Sequence, residues 1–151
     1  MKPLVLVCLS GVLLLGVQLP VRASFEAERA GARATGLAGA FTAVADDADA
    51  LIYNPAGLPN VKTAVFSAEH SRLFTALDTD TLTENRLAYV QPWPKVGTFG
   101  LGWYGRNLAD VYQENVIVAG AGFTLDQAQT WKAGAALKLL QVAYLDSDAL
   151  A

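Results

Sequence analysis

The chain has 151 residues, 53% hydrophobic and 17% charged, with a formal net charge of −3. That is the size of one domain with a large apolar surface, and the acidic balance excludes the basic patch that nucleic-acid binding requires. One cysteine, Cys8, excludes an internal disulfide, and one histidine, His70, excludes a zinc site built on paired histidines.

Met1-Lys2 gives a short basic start, and Leu4 to Leu19 is apolar apart from Ser10, Gly11, Gly16 and Gln18. Pro20 breaks the run, and Val21-Arg22-Ala23 offers small residues at −3 and −1 for cleavage before Ser24. The apolar core is shorter than the ~20 residues of a spanning helix, so residues 1–23 are expected to be a secretory signal peptide rather than an uncleaved anchor. Cleavage removes Cys8, Lys2 and Arg22, leaving nine basic and fourteen acidic residues and a net charge of −5. The mature chain then carries no thiol.

Residues 24–60 fit neither a signal nor a strand. Gly31, Gly36 and Gly39 interrupt a run of small residues, and each glycine costs a helix about 1 kcal/mol against alanine. Such a segment can lie close against another backbone. Asp46 is placed to cap a helix, with Asp49 near the positive end of its dipole. Ala48, Leu51 and Ile52 fall at i, i+3 and i+4, one apolar face. Asn54 suits an N-cap and Pro55 the first position of a new turn, with Ala56 following and Gly57 freeing the backbone to enter the first strand. Capping alone accounts for Asp46 and Asn54. Asp46, Asp47 and Asp49 lack the spacing and the later Glu of a calcium loop, so they are read as capping and contact residues, with no metal.

From residue 61 to 151 five candidate strands follow: Val61–Arg72, Asn85–Gln91, Gly97–Arg106, Glu114–Leu125 and Trp131–Tyr144. In the third, Phe99, Leu101 and Trp103 take one face, and Thr98, Gly100, Gly102, Tyr104 and Arg106 the other. In the fifth, Trp131, Ala133, Ala135, Leu137 and Leu139 oppose Lys132, Gly134, Ala136 and Lys138. The first alternates poorly and leaves the sides of Phe66 and Glu69 open. Alternation of this length fits a barrel wall between lipid and a polar lumen, and equally a sheet with one wet face. The links at 92–96 and 126–130 are short, while those at 73–84 and 107–113 are longer. With residues 24–60 on the periplasmic side, both short links fall on that side, as in outer-membrane barrels. Trp93 and Trp131 then stand at one membrane edge, and Tyr104, Tyr112 and Tyr144 near the other, although aromatics are common in any strand.

Gly100-Leu101-Gly102-Trp103-Tyr104-Gly105 matches a dinucleotide fingerprint but lies inside a strand, where glycines make room or allow bending. Glu69 and His70 are neighbours on a strand and point to opposite faces, which gives no catalytic pair. No enzyme chemistry and no cofactor are expected.

The run GARATGLAGAFTAVADDADALIYNPAGL, from Gly31 through the Ala45–Ala48 acidic step to the Tyr53–Leu58 close, resembles the N-terminal signature of the FadL-like outer-membrane barrels, especially the PorV/PorQ branch. The resemblance is strong over the first third of the mature chain and loose over the strands. It implies an all-β, antiparallel transmembrane barrel whose residues 24–60 form a plug or hatch inside the pore, with Gly36, Gly39, Asp46, Asp47, Asn54, Pro55, Ala56 and Gly57 as the hatch motif. Five strands do not close a barrel, which takes about eight. The chain is therefore expected to be an N-terminal part of a longer protein, or one of several assembling copies. The expected function is passage of hydrophobic small molecules across the bacterial outer membrane. Alternatives are a barrel that passes or anchors exported proteins, and a soluble periplasmic β-domain that binds a ligand or partner. The expected partners are outer-membrane lipid with hydrophobic small molecules or exported proteins, and no nucleic acid. The oligomeric state is left open.

Overall fold

The computed structural model describes residues 31–73, 82–108 and 111–144. The expected signal peptide, most of the link between the first two strands, and Asp146 and Asp148 lie outside the described residues. The chain is all-β in its main body, with a few short helices ahead of the sheet. Helices α1 (Ala32–Gly36), α2 (Phe41–Val44) and α3 (Ala50–Tyr53) lead into a 3-10 helix, Pro55–Asn60. Strands β1 (Val65–Leu73), β2 (Leu82–Trp93), β3 (Gly97–Leu108), β4 (Tyr112–Thr124) and β5 (Lys132–Tyr144) form one antiparallel sheet in sequence order.

The helices are short because the backbone turns left-handed between them. Ala38 (φ 50°), Gly39 (φ 91°) and Ala45 (φ 34°) each leave the right-handed region that a helix must keep. Ala45 is held there by its surroundings. Its carbonyl accepts from Asn60 Nδ2 at 3.2 Å, and the bare Cα of Gly57 lies so close that a Cβ would sit 2.2 Å from that carbonyl oxygen. Gly57 is thus needed for close approach inside the 3-10 helix rather than for swinging the chain into a strand. The first strand consequently starts later than expected, at Val65, with Val61 buried against the segment instead of paired.

The register divides the sheet into two faces. On one, Val65, Val90, Gly100, Gly120 and Ala136 lie in one row, and Ser67, Ala88, Gly102, Val118 and Lys138 in the next. Segment 31–60 packs on this face. Its core is Phe41, Leu51 and Leu58, each fully buried, with the Phe41 and Tyr53 rings edge to face at 5.4 Å. Val90 and Val118 are buried from the sheet side. The other face carries Phe66, Tyr89, Leu101, Ala119 and Leu137 in one row, and Ala68, Leu87, Trp103, Ile117 and Leu139 in the next. Nothing among the described residues covers it: Leu137 is 83% exposed, Phe66 69% and Leu139 68%. The expected alternation of the third and fifth strands is observed as written. Phe66 belongs to the open face and Glu69 to the covered one.

Glycine at the covered positions is what lets the segment lie flat. A Cβ on Gly134 would fall 2.3 Å from the Pro55 carbonyl carbon, and one on Gly122 would fall 2.5 Å from the Pro55 oxygen. Valine suits a strand better than glycine does. Gly134→Val should therefore preserve the sheet while lifting the 3-10 helix away. Proteolysis should then cut within 31–60 at least about tenfold faster than in the parent, if the lost packing is of order 1.4 kcal/mol.

Candidate functional site

The covered face is built to hold one segment at two points, a seat of small residues and a buried charge cluster. Leu51 supplies the first. Its methyls lie where a Cβ on Gly100, Gly102 or Gly120 would come within 2.9–3.2 Å. Three glycines on two neighbouring strands thus form a hollow in the sheet for one leucine. Below it, toward the short links, Pro55 rests on Gly122 and Gly134, and Lys132 donates to Asn60 Oδ1.

The charge cluster lies further along the same face. Arg86 on β2 is 11% exposed at its side chain and faces Asp49, whose side chain is 4% exposed, in a direct ion pair. Its Nη2 also donates to Glu69 Oε2 at 3.0 Å and Ser67 Oγ at 3.1 Å. Glu69 Oε2 in turn accepts from the backbone N–H of Ala32 at 3.2 Å. One arginine therefore ties two strands of the sheet to two places in the segment. Gly31 (φ 91°) is required beside it, since a Cβ there would land 1.9 Å from Asp49 Oδ2. Above this row a second ladder crosses three strands: Glu84 Oε1 accepts from Arg106 Nη2 at 2.7 Å, and Glu114 lies 3.6 Å from Arg106 Nη1.

The acidic step does different work from that expected of it. Asp49, not Asp46, occupies the position before α3, and its side chain makes no cap bond because the carboxylate is spent on Arg86. Asp46 and Asp47 both accept from Arg33 Nη1, at 2.5 and 2.7 Å, and the Arg33 guanidinium stacks 5.5 Å from the Phe41 ring centre. Asp47 Oδ1 also accepts from the Asp49 N–H at 2.8 Å. The hydrogen bond from Arg33 holds the Asp46 carboxyl below the usual carboxylate range. Asn54 does cap the 3-10 helix: its Oδ1 accepts from the Ala56 N–H at 3.2 Å, Pro55 follows at the first position, and its Nδ2 donates to the Thr42 carbonyl at 3.0 Å.

Gly36 and Gly39 meet no neighbour that a Cβ would touch, so they shape the segment's exposed turns and take no part in its seat. Trp93 and Trp131 flank the two short links at one end of the sheet, 54% and 71% exposed. Tyr104 is corrected: register places it on the covered face between Arg86 and Val116, and it is buried at 9%. Tyr144 also lies on the covered side of the register, at the far end, with its ring 5.2 Å from that of Tyr112. Strand parity buries Tyr104, whereas Tyr144 stays 72% exposed at the end of β5. Glu69 and His70 diverge as expected, with His70 Nδ1 2.8 Å from Asn85 Oδ1 on the open face.

The contacts of Arg86 and Glu69 with the segment are what sequence reasoning missed. The available signal was parity: Arg86 shares its face with Ala88 and Val90, an unusual place for a charge unless an acid meets it. Beside the foot of the segment an open pocket of about 350 Å³ lies between Pro59, Val61 and Lys62 and the turn residues Trp93, Lys95 and Val96. Comparison with protein-family models, with curated proteins and with solved structures finds no match to this chain.

Removing Asp49 strands a buried guanidinium with one remaining acid. Asp49→Ala should destabilise attachment of the segment by roughly 3–5 kcal/mol, and Asp49→Ala with Arg86→Met should recover most of it. Hydrogen exchange over 31–60 reads both. The Arg33 contact predicts a pH dependence of the same protection. A carboxyl whose pKa is depressed on folding stabilises above its unfolded value, near 3.9, and loses that contribution as pH falls through its lower folded value. Exchange at 31–47 should quicken below about pH 4, and Asp46→Asn should remove that pH response.

Proposed function

We propose that this chain is part of an outer-membrane β-barrel in which residues 31–60 form a hatch lying against the inner wall, and that it passes hydrophobic small molecules. The observation that carries this reading is the division of the sheet. One face is filled by the chain's own segment and carries every carboxylate of the described strands, Glu69, Glu84 and Glu114. The opposite face is apolar over successive rows on all five strands and has no cover among the described residues. In water, exposed leucine and phenylalanine at this density would drive association. In lipid, the same residues are in their preferred solvent, and a polar interior is the ordinary arrangement of such barrels.

The described sheet has two free edges, β1 and β5, and unpaired backbone groups are not tolerated in hydrocarbon. On this reading further strands, from the same polypeptide or from other copies, complete the wall. The short links and the foot of the hatch face the periplasm, and the pocket beside Lys62 and Trp93 is the near end of the route. Arg86 is the latch. Release of Asp49 from it, with Leu51 leaving its glycine hollow, lets the segment tilt without unfolding the sheet.

The resemblance of the Tyr53–Leu58 close to the PorV/PorQ branch keeps a second reading, a barrel that passes or anchors exported proteins. Membrane fractionation and an uptake assay separate the readings. Resistance to carbonate extraction is expected of either barrel, and release by carbonate would contradict both. Weakening the hatch with Asn54→Ala or Asp49→Ala should alter uptake of a hydrophobic fluorescent probe severalfold while assembly is intact. Unchanged uptake with secreted proteins stalled in the periplasm would favour the second reading.

A further inference from the structure

The pocket at the foot of the segment has two walls that nothing ties together. One wall is the end of the segment, with Pro59, Val61 and Lys62; the other is the β2–β3 turn, with Lys95. The foot is tied on its other side. Lys132 on β5 donates to Asn60 Oδ1, and Asn60 Nδ2 donates to the Ala45 carbonyl at 3.2 Å. Toward β2 and β3, no hydrogen bond or ion pair among the described residues links 59–62 to 92–98. The segment is thus held against β5 and left untied across the pocket.

The charges of this pocket have one sign. Lys62 and Lys95 line it from opposite walls, and no acid does. Lys62 Nζ donates to the Pro59 carbonyl at 2.9 Å, which uses one of its three protons. Lys95 is exposed and takes part in no ion pair among the described residues. It stands at φ 65°, where glycine or asparagine is the ordinary occupant. Asp126 on the β4–β5 link does not offset the two lysines. Its carboxylate accepts from the Thr130 and Trp131 N–H groups at 3.1 and 2.8 Å. Thr98, which also lines the pocket, is 4% exposed, yet its hydroxyl makes no hydrogen bond among the described residues. Buried polar groups rarely go without a partner. Val61 and Pro92 add apolar surface beside these groups. Two cations on separate walls call for two carboxylates on one ligand. A simple hydrophobic carboxylate has one and would leave the second ammonium unmatched.

We propose that this pocket is a docking site for an acidic peptide segment of a periplasmic partner protein, which bridges Lys62 and Lys95 and clamps the foot of the hatch to the β2–β3 turn. The bridge forms only with the segment seated, because a lifted foot carries Lys62 away from Lys95. Binding and seating therefore stabilise each other. The inference rests on the hatch reading above, which puts the pocket on the periplasmic side at the end of the route. It adds a partner that holds the route closed until it leaves.

The test uses the full chain in neutral-detergent micelles and a labelled, end-blocked pentapeptide, Ala-Glu-Leu-Glu-Ala, with Ala-Gln-Leu-Gln-Ala as its uncharged counterpart. Fluorescence anisotropy reads affinity. The acidic peptide should bind about tenfold tighter than the amide one, and Lys62→Gln and Lys95→Gln should each weaken it about fivefold, the upper range for one exposed ion pair. Saturating peptide should slow hydrogen exchange at 57–62. Gly134→Val, which lifts the foot and keeps both lysines, should weaken binding as well. Equal binding of the two peptides, or unaltered binding in both lysine variants, would overturn the site. Unaltered binding in Gly134→Val, with the foot shown lifted by proteolysis, would overturn the clamp. Displacement by octanoate or suberate at the peptide's own concentration would transfer the pocket to a small carboxylate and overturn the peptide assignment. Glu26→Gln with Glu28→Gln should leave affinity unchanged; a gain would make the chain's own acids the occupant and overturn the partner. Each of these results leaves the barrel reading standing, which fails instead if carbonate releases the chain.

Discussion

A β-sheet has two faces, and the described residues offer one segment with which to cover them. That constraint governs the rest. The 31–60 segment is rich in glycine and alanine because it must lie flat on a sheet, and the sheet answers with glycines at Gly100, Gly102, Gly120, Gly122 and Gly134. Neither set would be favoured alone, since glycine weakens helices and strands alike. Together they bring Leu51 and Pro55 into contact with the sheet backbone, a distance that side chains on both sides would forbid. The face left over is apolar over most of its rows and has no cover among the described residues.

The buried charges follow from the same geometry. A segment seated only by small residues would be free to slide along the hollow. Arg86 fixes its position by meeting Asp49 from the segment and Glu69 from the neighbouring strand. A buried ion pair of this kind adds little net stability over an apolar replacement, and loss of one partner is expensive. It serves registration better than strength. That is a suitable property for a latch, which must hold one position and still be able to let go.

Much of this was legible in the chain, and the reasons for the rest are specific. Alternation gave the strands β3 and β5 their correct faces because a period of two survives any sheet environment. Asn54-Pro55 declared its turn through local chemistry, with no need of a tertiary partner. Asp46 and Asp49 misled because a cap is a local use of a carboxylate, and here arginines distant in sequence competed for both and won. Tyr104 was taken for an edge aromatic on residue type, when parity with Arg106 already put it on the covered side. Arg86 was invisible as a contact of the segment because its acid lies 37 positions earlier.

The central claim is that the open face meets lipid. The chain has three tryptophans, and Trp93, Trp103 and Trp131 all belong by parity to that face or its rim. Tryptophan emission from the full chain in vesicles, quenched either by lipids brominated along their acyl chains or by aqueous iodide, reads their surroundings directly. The account predicts strong quenching by the brominated lipids, greatest for Trp103, and weak quenching by iodide. Full access to iodide with no response to brominated lipid would contradict it.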